Sequence, residues 1–354
     1  MKVLFTKELF SPYIAGGGEI YGENVVRGLM KQGVKVQVVA GSWGKSKFEN
    51  YKDIPVHRVN LWPMRYSFNV KGYLPLLNVA KKFRPDIIHS NAPQASFPAF
   101  LVSSQLGIPH VVSVHFLFLK EYFRYFNPVT ASLFYVLEQA VFKVPYDKII
   151  ALDHWVYRNL CRLGLRKKSV VIQHPINTNI FKSKRRKHDK IVIGTVGTLY
   201  GPTKGTNIIF NAFKQIKEKF DVEFLVVGKS TDEQKKMFEK IGAKVVGRVP
   251  YKETPRYYNK IDIFIGQGMS AKEAMACGCV TILNEPTLRL KLYHKPEINA
   301  GAMLVGNHFK IIENLLSKPK QIKKISEKSV KFVKENYRTE KIINQLLSLY
   351  KSML

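Results

Sequence analysis

The sequence contains little that would staple or anchor it. It has three cysteines, Cys161, Cys277 and Cys279, in 354 residues. An odd count without framework spacing argues against a disulfide scaffold, and no Cys-x-x-Cys pair with histidines suggests zinc. No apolar run approaches the ~20 residues that a membrane-crossing helix needs. His89 and the scattered acids lack metal-ligand spacing, so no metal is expected. Acidic residues are scarce, 26 against 57 lysines and arginines, for a formal charge of +31. That surplus favours an anionic partner: a nucleotide, an acidic membrane surface or a nucleic acid. Met1 to Phe5 run directly into a strand pattern without a leader, and the expectation is a cytoplasmic protein.

What is present is an alternation. The chain is long enough for two domains, and at 45% apolar residues each half can bury a core. Strand patterns at Val3–Phe5, Val34–Val38, Asp86–His89, His110–Val114 and Lys148–Leu152 alternate with helical ones, several closed by glycine as at Gly33 and Gly107. The rhythm breaks over 180–190, a basic run without apolar periodicity that reads as a linker. It then restarts at Ile191–Thr195 and Val222–Val227, with a further strand expected at Ala302–Val305 and a helical tail over Ile322–Leu354. Repeated strand–helix units predict parallel, doubly wound sheets.

The centre of the chain is Ile265 to Gly278. A strand pattern, Ile261–Ile265, runs through Gly266, Gln267, Gly268 and Met269 into a short helix ending at Gly278. A glycine turn at a helix start exposes backbone N–H groups to an anion. Glu273 lies one turn further on, placed for a hydroxyl-bearing part of the same ligand. The same residues also read as a capping box, with Ser270 at N-cap and Glu273 at N3.

With glycine turns in both halves and the phrase Glu273-Ala-Met-Ala-Cys-Gly278, the chain resembles the GT-B glycosyltransferases, specifically the retaining glycosyltransferase 4 type. Further similar segments are the loop from Pro12 to Glu19 with Gly16, Gly17 and Gly18, then Pro85–His89, Gly107–His115, Asn177–Phe181 and the ending from Lys331 through Tyr350. The resemblance implies two Rossmann-like domains facing across a cleft. The expected parts are residues 1–179, a linker over 180–190, a second domain over 191–330, and a closing helix over 331–354 that returns to the first domain. It further implies a metal-independent transfer, with retention, from a nucleotide sugar (UDP- or GDP-linked) to a hydroxyl acceptor, and no cofactor. Gly17 and Gly18 would approach the donor or acceptor, His115 the donor sugar, Lys204 the diphosphate and Glu273 the ribose.

Two positions depart from the family pattern. Thr198 stands where the family carries an arginine, and Lys229 is the nearest residue to supply the missing charge. Counting back from Glu273 places Ile265 where a first glutamate would touch the transferred sugar. These departures motivate a second reading, a catalytically silent partner subunit that binds a nucleotide or glycan. A nucleic-acid binder rests on charge alone and has no recognition motif. Finally, 116–126 and 133–137 are rich in aromatics, with Lys120 and Arg124 among them. Core packing explains such a segment in part, but an aromatic, basic, amphipathic stretch also suits a membrane interface. The expectation is a peripheral enzyme at the inner face of a membrane, acting on a lipid-linked or surface-glycan acceptor.

Overall fold

The computed structural model describes residues 1–13, 17–42, 47–60, 70–92, 96–184, 189–200, 204–284 and 288–354. The chain divides into two compact units, Met1–Pro175 with Thr339–Leu354, and Ile176–Arg338.

The first unit runs β1 (Lys2–Lys7), α1 (Gly17–Lys31), β2 (Lys35–Ser42), β3 (Lys47–Tyr51), β4 (Ile54–Asn60), α2 (Tyr73–Phe83), β5 (Ile87–Asn91), α3 (Ser96–Leu106) and β6 (His110–Val114). It continues with α4 (Tyr122–Tyr125), α5 (Pro128–Phe142), β7 (Lys148–Ala151), α6 (His154–Arg162) and β8 (Ser169–Val171). The strands form one sheet in the order β3-β4-β2-β1-β5-β6-β7-β8. All pairs are parallel except β3 with β4. Successive side chains on a strand face opposite ways. Val3 and Phe5 therefore join the core beneath α1, whereas Leu4 joins the core beneath α2 and α3.

The second unit has β9 (Val192–Val196), α7 (Thr206–Lys217), β10 (Glu223–Val227), α8 (Asp232–Lys240), β11 (Lys244–Gly247), α9 (Thr254–Tyr258), β12 (Ile263–Gly266), α10 (Gly268–Ala276) and β13 (Val280–Leu283). The helices α11 (Leu288–Tyr293), α12 (Lys295–Asn299), α13 (His308–Ser317) and α14 (Pro319–Asn336) complete it. Its parallel sheet has the order β11-β10-β9-β12-β13. The same alternation sends Ile263 and Ile265 to one core and Phe264 to the other.

The last helix, α15 (Thr339–Lys351), belongs to the first unit. It buries Ile342, Ile343, Leu346 and Tyr350 in the α1 core, each worth roughly 1.5–3 kcal/mol. Gly28 allows α1 to approach: a Cβ there would lie 2.5 Å from Cγ1 of Ile343. The Tyr350 hydroxyl meets Nδ1 of His89 at 2.5 Å beneath the sheet.

Three expectations are corrected. Residues 180–184 and 189–190 of the expected linker lie inside the second unit, because Phe181 is 1% exposed and packs on Tyr251 and Tyr258; residues 185–188 lie outside the described residues. The helical tail is two helices, broken at Tyr337 and Arg338, where the Ile176 N–H donates to the Tyr337 carbonyl at 2.7 Å. The expected strand Ala302–Val305 makes only a bridge between Leu304 and Ile282, bounded by Gly301 and Gly306 at φ +61 and +149.

Candidate active site

Each sheet reverses its winding beside its first strand. β1 lies between β2 and β5, and β9 lies between β10 and β12. Helices leave such a point toward opposite faces, so a crevice opens at the carboxyl ends of the strands. The residues singled out in the sequence gather at these two places, one group in each unit.

In the first unit Gly17 and Gly18 open α1, and His115 follows β6. Gly16 lies outside the described residues. Asn91, the last residue of β5, donates its amide to the Gly18 carbonyl at 3.3 Å, and its Oδ1 meets His115 Nε2 at 2.5 Å. In this arrangement Nε2 carries the proton and Nδ1 remains an acceptor. Tyr21 and His174 pack their rings against His115 at 4.9 and 5.6 Å. Burial, then the positive charge of Lys7, holds the His115 pKa well below its ordinary value, so the imidazole is neutral near pH 7. Lys7 ends β1, is 5% exposed, and pairs with Glu19 at 3.5 Å. Burial lowers its pKa, against the opposing pull of Glu19. The sequence reading missed Lys7 and Asn91. Their only signal is position, each being the final residue of a strand flanking the switch point.

In the second unit the loops after β9 and β10 are joined. Gly197 N–H donates to Val227 O and Leu199 N–H to Lys229 O, both at 2.8 Å. Gly228 sits at φ +136, where a Cβ would overlap the Gly197 carbonyl oxygen. Thr198 and Lys229 are exposed on these loops, with the Lys229 ammonium 5.0 Å above the Tyr200 ring. Lys204 precedes Gly205, the N-cap of α7, which offers the helix start no side-chain cap. Asn284, just past β13, donates to the Lys204 carbonyl at 2.5 Å.

The pKa of Lys204 is lowered, first by crowding that strips water from its ammonium and then by the charge of Arg289 on α11. Two cations held near one another favour an anion between them. Arg289 was not singled out in the sequence. Its sole signal there is a basic residue a few positions past a strand end.

At β12 the structure departs from two readings. Helix α10 starts after Gln267, through Gly268 at φ +67, and Ser270 donates its hydroxyl to the Gln267 carbonyl at 2.9 Å. The capping box of Ser270 and Glu273 is therefore not formed, because the helix begins before Ser270. Glu273 instead accepts from the Tyr251 hydroxyl at 2.7 Å and the Tyr258 hydroxyl at 3.0 Å. It is 5% exposed, and burial pushes its pKa up to about 7 against the lowering effect of both hydrogen bonds. Ile265 is fully buried among Ile263, Val280 and Ile282, so the position counted for a first glutamate is a core position. Gly266 is buried, and Gln267 and Met269 are partly exposed. The Gly268 N–H is already engaged, donating to Nε2 of His294 at 3.0 Å. Chemically, the second unit offers two helix starts, two neighbouring cations and a carboxyl that changes charge near neutrality.

Two family models match the chain in succession: Glycosyltransferase Family 4 over residues 15–180, and Glycosyl transferases group 1 over residues 190–289. No curated protein matches the sequence. Among solved structures, the sucrose-phosphate synthase of Thermosynechococcus elongatus superposes with a TM-score of 0.81 at 16% identity, covering 99% of this chain and 98% of that one. A glycosyltransferase from Rickettsia africae gives 0.77 at 16% identity, over 99% and 98% of the two chains. Anabaena HepE in complex with UDP and glucose gives 0.73 at 16% identity, over 99% and 100%. At these identities the superpositions establish the fold.

Proposed function

Since this chain is a glycosyltransferase 4-like protein of the GT-B fold, we propose that it transfers a sugar, with retention and without a metal, from a nucleoside-diphosphate sugar to a hydroxyl on a lipid-linked acceptor. The carrying observation is Lys204, directly before the uncapped start of α7, with the charge of Arg289 acting on it. A departing nucleoside diphosphate gathers negative charge, so cations fixed there stabilise the transition state more than the ground state. Arg289 supplies the charge that Thr198 lacks. Lys229 extends the basic side, Glu273 faces the ribose hydroxyls, and neutral His115 accepts a hydrogen bond from the transferred sugar. UDP is the first nucleotide to test, because the Anabaena structure holds UDP and glucose. The donor is a substrate, and the scheme needs no resident cofactor.

The acceptor reading rests on α5. Val129, Leu133 and Val136 recur at helical spacing and are 80%, 55% and 61% exposed. Phe123 and Phe126, just before α5, are also exposed. The inner face is fixed by buried Glu138, which accepts from the backbone of Phe118 and Leu119 and from the Tyr122 hydroxyl. Core packing thus claims Leu117 and Tyr122 but leaves the outer stripe uncovered by the rest of this unit. Among the described residues no helix is long and apolar enough to cross a membrane. An apolar stripe flanked by exposed Lys120 and Lys143 suits an anionic lipid surface, each cation adding about 1 kcal/mol. The side chain of Arg124 lies outside the described residues.

A thermal-shift screen with UDP-, GDP- and ADP-sugars tests the donor, since bound ligand stabilises by mass action. Response to none of them would overturn the donor reading. Binding without hydrolysis or transfer would instead support a silent subunit, the reading favoured by Ile265 lying in the core and Glu273 lying behind two tyrosines. Flotation with anionic vesicles, comparing the native chain with Leu133→Asp/Val136→Asp, tests the membrane face. Equal flotation of the two would remove it.

A further inference from the structure

Beneath the start of α10 lie three ionisable side chains that the proposed chemistry does not use. Lys272 of α10, His294 before α12 and Glu297 of α12 are each fully buried. Oε1 of Glu297 stands 3.4 Å from Lys272 Nζ and 3.4 Å from His294 Nδ1. Rings cover the lysine: its Nζ lies 4.3 Å from the Tyr337 centroid and 5.1 Å from that of Tyr293. The far nitrogen of His294, Nε2, takes the Gly268 N–H at 3.0 Å.

The geometry fixes the tautomer. A backbone N–H is only a donor, so Nε2 must hold a lone pair and the proton must sit on Nδ1, facing Glu297. Burial lowers the His294 pKa, with Lys272 acting in the same direction and Glu297 against it. Glu297 is held down at about 2 by Lys272 and His294 despite its burial. Three apolar side chains would fill this space at equal or greater stability, and capping one peptide does not by itself call for them. What the trio adds is a fixed lone pair under the peptide that opens the α10 entrance.

We propose that His294 is a positioning residue for donor binding: through its neutral Nε2 it sets the Gly268 peptide, and the Lys272–Glu297 pair keeps it in that tautomer. The inference rests on the donor reading above. Gly268, in the left-handed region, controls where the following N–H groups of α10 point. With its own N–H taken by His294, the N–H groups of Met269 and Ser270 are left for an anion. Protonation of His294 would set an N–H against the Gly268 N–H, and the peptide would turn away. Among the described residues, the charged and titratable groups facing the ring are Glu297 from α12, Lys272 from α10 and Tyr293, whose ring centroid lies 4.6 Å from that of His294, with Tyr337 acting through Lys272.

The test compares the native chain with His294→Gln, which keeps an acceptor near the Nε2 position but cannot ionise, and His294→Leu, which has none. At about pH 7.5, His294→Gln should retain the donor KM. His294→Leu should raise it about tenfold with kcat nearly unchanged, the pattern of lost binding rather than lost folded enzyme. Nitrogen-15 spectra of the native protein should show a proton on Nδ1 and a lone pair on Nε2. An unchanged KM in His294→Leu or a proton on Nε2 would overturn the proposal. A native chain that binds no nucleotide sugar would overturn the donor reading instead, and the nitrogen-15 result would still decide the tautomer.

Discussion

Tyr258 donates its hydroxyl to Oε2 of Glu273 at 3.0 Å, within a carboxyl environment that is 5% exposed. Tyr251 holds the other oxygen at 2.7 Å. The Tyr258 pKa is raised well above its usual value by burial, and then by the charge of Glu273. The carboxyl therefore carries the titration.

The consequence for stability has a definite sign. In the unfolded chain Glu273 ionises near 4.5 and in the folded chain near 7. Between those values the folded state binds more protons, so this group's contribution to stability falls as pH rises. Above pH ~7 the full cost is present, and below ~4.5 it is absent. Glu273→Gln should raise the Tm relative to the native chain at about pH 8 and change it little near pH 4.5. The same variant should bind nucleotide sugar more weakly, as expected when a site retains a strained group for function. A Tm difference independent of pH would show that this carboxyl is not held near 7.

Glu297 has the opposite sign. Its folded pKa, held down at about 2 against an ordinary 4.5, contributes stability present above ~4.5 and lost as pH falls toward 2. Removing its cation leaves an unpaired buried charge, which costs about 3–5 kcal/mol. Lys272→Met should therefore destabilise the protein strongly in urea titrations at neutral pH. Adding Glu297→Gln should recover a large part of that loss. If the double variant were no more stable than Lys272→Met, the charge pair would not be the source of the cost.

Much of this arrangement was legible in the sequence, and the remainder was not, for physical reasons. Strands buried on both faces read as apolar runs, so β1, β6, β10 and β12 and their glycine turns announced two parallel sheets. The edge strand β3 pairs antiparallel with β4 and carries Lys47, Glu49 and Asn50, a pattern no apolar rule detects. Ser270 and Glu273 satisfied a local capping rule, yet Gly268 started the helix first and the tyrosines at 251 and 258 claimed the carboxyl. Lys7 and Arg289 acquire partners, and His294 meets the Gly268 N–H, only once separate segments meet. Spacing along the chain does not encode those meetings.

The joined loops of the second unit make Gly228 the position where a single methyl group should do most damage. Its φ of +136 is strained for any other residue, and a Cβ would overlap the Gly197 carbonyl. Gly197 has a similar φ, +141, but nothing lies within 4 Å of a Cβ placed there. Backbone strain alone costs of order 1–3 kcal/mol, and Gly197→Ala should lose about that much. Gly228→Ala adds a clash that separates β9 from β10, so its loss of stability should be clearly larger. Equal losses in thermal unfolding would place the cost in strain alone.

Arg289 yields the sharpest expectation for binding. It is partly exposed, and its charge depresses the Lys204 pKa, second to desolvation. Such repulsion is relieved when a diphosphate binds, and that relief contributes to affinity. A hydrogen bond to a charged group is worth ~1.5–3 kcal/mol, so Arg289→Ala should weaken nucleotide-sugar binding by at least about tenfold. The same change should raise the Lys204 pKa, measurable by its rate of amine labelling as pH rises. Lys229→Ala, whose ammonium rests over Tyr200, should weaken binding less, because its charge does not act on Lys204. If calorimetry gave Arg289→Ala the native affinity while the Lys204 pKa rose, the two cations would be neighbours without being a diphosphate site.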